Sequence, residues 1–320
     1  MIADSIRTWL LDPSDPSVRY RALTELLGLS PNDPEAAATR KCIAPSAAAV
    51  QLFEKMHPEG YWLQTNPRTL KAVGDGAEYG SFGTTHFCFA YLAELGLDRT
   101  HPKVALAAER YLGLQKKDGD WYKHLSCLYG YNIRTFIMLG YRTDQRLERS
   151  IQLLEESVRA DGGYLCDLHE AKTAGRRTRS CIRGSLKALA AFSELGHAYW
   201  NHPSCLKLVQ YFLERGGIYK RREPQELVNK DVQTMIFPFH WRAGLVEVLF
   251  YLSKMGHGKD PRLDRAWNLL HSKVDREGRY LLEWTPTQSA WKVGKRGTAI
   301  KWMTLYALLA LKAAGRGGRI

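Results

Sequence analysis

The sequence predicts an all-α protein, an (α/α)6 toroid in which inner helices are ringed by outer ones, and three patterns carry that prediction. Apolar runs stop repeatedly at a glycine, at Gly28, Gly96, Gly140, Gly196, Gly256 and Gly315, each after LG, MG or AG. That is where a helix ends in the left-handed conformation that glycine adopts without strain. Most stops are followed by a polar turn and a new helix start, as in DRTHPKVALAAERYL, TDQRLERSIQLLEE, NHPSCLKLVQYFLE and DPRLDRAWNLL, with Pro102, Pro203 and Pro261 near the first turn. A helix in each unit then runs into a glycine-plus-aromatic turn: HPEGYW at Trp62, KDGDW at Trp121, ADGGY at Tyr164, RGGIY at Tyr219 and REGRY at Tyr280.

One full unit runs from Gly96 to Gly140: a helix over Pro102 to Leu114, the turn QKKDGDW, and a second helix over Leu128 to Leu139. The two helices differ in composition. Those before the aromatic turn, such as VALAAERYL and LDRAWNLL, carry charge on one side and therefore face water. Those after it, such as LKALAAFSEL, LVEVLFYL and WMTLYALLALKAAG, are apolar nearly all round and are expected inside. With Val18 to Leu27 as the first inner helix and Ser5 to Leu11 as an unpaired outer one, the chain holds about six of each. No low-complexity linker interrupts the repeat, so residues 1–320 are expected to form one domain.

No apolar run is long enough to cross a bilayer, and MIADSIRTWLLDPSD is too short and acidic for a secretion signal, so the cytoplasm is the expected compartment. The formal net charge of +13 favours anionic partners: diphosphates, acidic sugars or nucleic acid. Much of the excess lies in three loops, Gly175 to Ser180, Tyr219 to Glu223 and Lys292 to Gly297, which the repeat places on one rim. A merely solvated rim is the rival reading.

The segment RYLGLQKKDGDW resembles the glutamine-tryptophan motif of squalene–hopene cyclases and the related prenyltransferase β-subunits, and GSFGTTHFCFAYLAELG is similar to their inner helices. The motif is complete once, at Gln115, Gly119 and Trp121. The resemblance implies the terpene cyclase and prenyltransferase-like toroid fold over nearly the whole chain, and an isoprenoid-like, anionic ligand with zinc as the metal of the transferases. The catalytic Asp-x-Asp-Asp run of the cyclases and the Asp-x-Cys of the transferases are both missing, and fold alone does not license function.

Long loops between outer and inner helices, GYWLQTNPRTLKAVGDGAEYGSFGTTHF and IYKRREPQELVNKDVQTMIFPFH, are expected to carry function and to form the mouth of a central cavity, where helix N-termini favour anions. Ser126-Cys127-Leu128-Tyr129-Gly130 and Ser180-Cys181-Ile182-Arg183-Gly184 share one pattern at the start of two inner helices. With Cys166 in GGYLCDLH and His240 in FPFHWRAG they offer a Cys₃His set for Zn2+ at Cys127, Cys166, Cys181 and His240. The rival is that the thiols are small buried fillers and His240 a satisfied histidine.

Arg183, Arg242 and Lys301 fall at matching places near the starts of inner helices and could grip phosphate or carboxylate, while Arg134, deeper in its helix, needs an acidic or ligand partner. Tyr131, Trp241 and Trp302, with Tyr129 and Trp291, could line an apolar or cation-stabilising pocket; the rival reading is that aromatics at helical spacing belong to the core. Acid–base candidates are Asp75, His86 and Asp167, Asp75 preferred, with Glu78, His169 and Asp231 in the same loops.

Three function classes follow. One is a transferase or cyclase binding an anionic, apolar-tailed small molecule. Another is a carbohydrate-active toroid, a lyase or hydrolase on acidic sugars, although no convincing carboxylate pair is found. The third is a basic nucleic-acid-binding or scaffold protein, because DPSDPSVRYRALTELLG resembles a HEAT-type repeat.

Overall fold

The computed structural model describes residues 3–66, 69–76, 82–167, 169 and 179–317. Among these the regular structure is helical apart from one two-stranded ribbon. In chain order the first helices are α1 (Asp4–Leu10), α2 (Pro16–Arg21), which continues as a π-helical turn (Ala22–Leu26), α3 (Pro34–Lys41) and α4 (Ala47–Glu54). The strands β1 (Gln64–Thr65) and β2 (Ala72–Val73) pair antiparallel, Gln64 opposite Val73. Then come α5 (Thr85–Glu94), α6 (Pro102–Leu112), α7 (Ser126–Met138), α8 (Gln145–Glu156), α9 (Ile182–Leu195), α10 (His197–Trp200) and α11 (Pro203–Leu213). Last are α12 (Leu245–Lys254), α13 (Asp264–His271) and α14 (Lys301–Ala313).

The chain divides into two compact units. A central one holds Ala47–Leu208 and Pro286–Lys292; a terminal one holds Met1–Ser46, Val209–Thr285 and Val293–Ile320. In the central unit α5 packs on α7 and α7 on α9; in the terminal unit α12 packs on α14, and α14 on α2 and its π-helical turn.

The contrast in composition becomes a contrast in burial. All of α5 is buried, as are residues 126–136 of α7 and 302–311 of α14. In α8 the buried positions are Leu147, Ser150, Ile151 and Leu154, the one-faced spacing of a helix against a core. Starts follow the expected chemistry: Asp15, Asp33 and Asp144 accept the N–H of Val18, Glu35 and Arg146, and Pro16 and Pro34 open their helices. The six stop glycines all have positive φ.

A repeated staple ties these helices together. Trp62 Nε1 donates to Leu52 O at 2.7 Å, Trp121 Nε1 to Tyr111 O at 3.2 Å and Tyr164 OH to Leu154 O at 2.7 Å, each reaching ten residues back into the preceding outer helix. The backbone N–H of Trp62, Tyr164 and Tyr280 donates forward to a hydroxyl in the next inner helix: Thr85 at 2.9 Å, Ser185 at 2.9 Å and Thr304 at 3.0 Å. Gln115 adds a second direction, its amide reaching Arg146 O at 2.8 Å and Ser150 Oγ at 2.7 Å on the next outer helix. Gly119 makes the turn possible: its φ is +87°, and a Cβ there would strike the backbone of Arg149. The glutamine-tryptophan motif is thus a hydrogen-bonded corner between α6, the turn and α8.

The Ser-Cys recurrence has a packing reason. A Cβ on Gly130 would lie 2.7 Å from the carbonyl carbon of Lys187, and one on Gly184 would strike Ser126 Oγ. Gly130 lets α7 approach the backbone of α9, and Gly184 makes room on α9 for the Ser126 side chain.

Candidate functional site

The terminal unit gathers a histidine, an arginine, an aspartate and two tryptophans in one cluster. The segment ahead of α12 is extended and bonded to the chain before Pro286: Phe237 N–H donates to Trp284 O at 3.2 Å, and Trp284 N–H to Met235 O at 3.1 Å. Glu283 fastens this pair, accepting Met235 N–H at 2.8 Å and Lys273 Nζ at 2.6 Å. The Phe237–Pro238 peptide is cis. From this frame His240, Trp241 and Arg242 emerge beside Trp284.

The Arg242 guanidinium lies 4.7 Å from the Trp284 ring centre and 5.3 Å from that of Trp241. Its NH1 is 3.4 Å from Asp231 Oδ2. Trp241, Arg242, Trp284 and Asp231 are all half-buried, whereas His240 is 1 % exposed and packs against Trp284 at 4.7 Å between ring centres. His240 Nδ1 accepts the Arg242 N–H at 3.1 Å, which leaves the proton of a neutral imidazole on Nε2. Two indole faces therefore carry the cation, and a long, partly exposed ion pair of this kind is worth only about 0–1 kcal/mol.

The other predicted residues divide between the units. Lys301 is 3.3 Å from Asp12 Oδ1 and donates to Ser14 Oγ at 3.2 Å, and hydrogen bonds from Ser14 and Lys301 hold the Asp12 carboxyl down at about 2. Trp302 is buried, stacked on Phe237 at 5.1 Å, with Arg21 over it and over Tyr306. In the central unit Arg134 has the acidic partner its depth required: NH2 is 2.8 Å from Glu94 Oε2, the side chains 1 % and 3 % exposed. Tyr131 is buried, with Lys187 Nζ 5.6 Å from its ring centre. Arg183 is half-buried in the first turn of α9.

Of the acid–base candidates, Asp75 and Asp167 are exposed. His86 is a core histidine: Nδ1 lies 3.0 Å from Asn132 Oδ1 and 3.3 Å from Tyr111 OH, and burial pushes its pKa down to about 3. Glu78 and most of the Gly175 to Ser180 loop lie outside the described residues.

Cys127 and Cys166 do meet, with their sulfurs 3.6 Å apart and Ser126 Oγ 3.4 Å from Cys166 Sγ. The Cys127 thiol, more than any other group, lowers the Cys166 thiol to about 6 against the opposing effect of burial. Cys181 caps α9, its N–H donating to Tyr164 O at 2.7 Å, and His240 belongs to the other unit. Among the described residues no three His, Cys, Asp or Glu side chains gather in a way that would hold a metal ion, so the zinc set finds no support in this geometry. Nor is any described helix long and apolar enough to cross a membrane. Trp284 is the site residue that sequence reasoning missed, because an aromatic in an irregular segment 43 residues from Trp241 gives no periodic signal.

No family model matches this sequence, and no curated protein matches it. Among solved structures, a glycosyl hydrolase family 88 protein from Bacteroides vulgatus aligns at a TM-score of 0.53 and 15% identity, covering 98% of this chain and 95% of its own. A polysaccharide lyase aligns at 0.52 and 14%, covering 94% of this chain and 89% of its own. A type II terpene cyclase from Scytonema aligns at 0.36 and 13%, covering 87% and 98%. The first two likenesses run over nearly the whole chain, and what they establish is a helical fold shared with those two structures.

Proposed function

We propose that the chain is an (α/α)6 toroid that binds an acidic saccharide at Trp241, Arg242 and Trp284, with Asp231 beside them and His240 fixing the backbone of Arg242. The observation that carries this reading is the Arg242 guanidinium lying over two half-buried indoles, 4.7 and 5.3 Å from their ring centres. A uronic acid needs a cation for its carboxylate and a flat apolar face for its ring, and this cluster offers both. The first two structural neighbours are a glycosyl hydrolase and a polysaccharide lyase, which supports a saccharide as the ligand; the acidic character rests on Arg242. The isoprenoid reading ranks second. Two of its cations, Arg134 and Lys301, are paired within the protein, and its aromatic Trp302 is packed in the core.

Titration of tryptophan fluorescence with galacturonate and glucuronate oligosaccharides tests the proposal, with neutral oligosaccharides and a prenyl diphosphate as comparators. Acidic chains are expected to bind best, and Arg242→Met to weaken them about 10–100-fold, as loss of a hydrogen bond to a charged group requires. Equal binding of neutral and acidic chains, or an Arg242→Met variant that binds normally, refutes it; preferential binding of the prenyl diphosphate moves the assignment to the second reading. Appearance of an unsaturated uronide separates elimination from hydrolysis.

A further inference from the structure

The central unit carries a second chemical feature, independent of the saccharide reading because it lies in the other unit. Cys127 stands in the first turn of α7, and Cys166 on the segment that leads to α9. Their sulfurs are in van der Waals contact at 3.6 Å. Asp167 N–H donates to His124 O at 3.4 Å, which ties the Cys166 segment to the approach to α7, and His169 N–H donates to Cys166 O at 2.8 Å within that segment. Cys166 Sγ has the Ser126 hydroxyl at 3.4 Å and the Cys127 thiol beside it, both able to donate to a thiolate. Cys127 and Cys166 are themselves 9 % and 1 % exposed, but the neighbouring thiol and hydroxyl outweigh burial at Cys166, whereas burial prevails at Cys88 and Cys205, raising the latter to about 12. Cys42 is exposed at the end of α3, with Ala38 O the acceptor of its thiol at 3.5 Å.

We propose that Cys127 and Cys166 form a reversible dithiol–disulfide pair that a hydroperoxide oxidises. The Cys166 sulfur attacks the peroxide, the O–O bond breaks, and Cys166 becomes a sulfenic acid while the first water leaves with the proton given up by that thiol. The Cys127 sulfur then attacks Cys166; the S–S bond forms, the S–O bond breaks, and the departing hydroxide takes the Cys127 proton as the second water. Two thiols and one hydrogen peroxide give one disulfide and two waters. The cross-link ties the first turn of α7 to the segment before α9, closing a loop across the most intimately packed helix pair of the unit.

The test treats the folded full-length chain with hydrogen peroxide, blocks remaining thiols, and maps the cysteines by mass spectrometry. A Cys127–Cys166 linked peptide that disappears on reduction is expected, with a thermal midpoint higher for the oxidised chain than for the reduced one. Cys127→Ser is expected to leave Cys166 as a sulfenic acid trappable by a dione reagent, and Cys42→Ser to leave the cross-link intact. Cys166 found in the wild type as free thiol, as sulfinic or sulfonic acid, or joined to a different cysteine overturns the proposal. The wild-type map decides by itself if the variants fold poorly.

Discussion

Removing the Arg134 guanidinium is the sharpest probe of the central unit. Arg134 and Glu94 are 1 % and 3 % exposed and 2.8 Å apart, joining α7 to α5. At an effective dielectric of about 20 the charges attract by roughly 4–6 kcal/mol, and desolvating each ion costs several kcal/mol, so the pair as a whole sits near balance. Losing one member removes the attraction and keeps the other ion's penalty. Arg134→Met and Glu94→Leu should therefore each destabilise α5 and α7 by about 3–5 kcal/mol, while the two together should recover most of that loss. Hydrogen exchange of the α5 and α7 amides measures the change without requiring both compact units to unfold in one step. Single variants within about 0.5 kcal/mol of wild type, or a double variant as damaged as the sum of the singles, would refute the argument.

Two further predictions concern the same unit. His86 is held at a pKa of about 3 against an ordinary 6.5, so the unfolded chain takes up the proton first. Stability from keeping the ring neutral is complete above pH 6.5 and drains as pH falls toward 3, by about 5 kcal/mol over that window. His86→Gln should flatten the acid limb of the melting-temperature profile relative to wild type, and superimposable limbs would contradict the assignment. Gly130→Ala gains helix propensity but drives a Cβ to 2.7 Å from Lys187 backbone, so it should lower the thermal midpoint, at a cost of about 1–3 kcal/mol. A raised midpoint would show that α7 and α9 are not so close.

Much of the helical plan was legible beforehand because it is written in local chemistry. The expected helix Pro102 to Leu114 is found as Pro102–Leu112, and the expected Leu128 to Leu139 starts two residues earlier and ends one earlier, as Ser126–Met138. The stretch expected as an inner helix over Val18 to Leu27 splits into α2 and a π-helical turn, a change of winding that apolar periodicity does not encode. The site was far less legible. Lys301 looks like a ligand-gripping cation in sequence, and Arg134 needs an acidic or a ligand partner; the carboxylates that meet them, Asp12 and Glu94, lie 289 and 40 residues away. His86 looks like a mouth-loop base and is instead a neutral core group, because Asn132 and Tyr111 fold over it.

The sequence by itself determined where helices start and stop, which of them are buried, and where the aromatic turns fall. Capping residues, left-handed glycines and apolar spacing act within a few residues of where they stand. Only the tertiary structure decided which charges are already paired, that the two Ser-Cys motifs serve close helix packing, that Cys127 meets Cys166, and that Arg242 lies over Trp241 and Trp284. Those outcomes depend on side chains brought together from distant parts of the chain, and partner identity over such separations leaves no periodic trace in a single sequence.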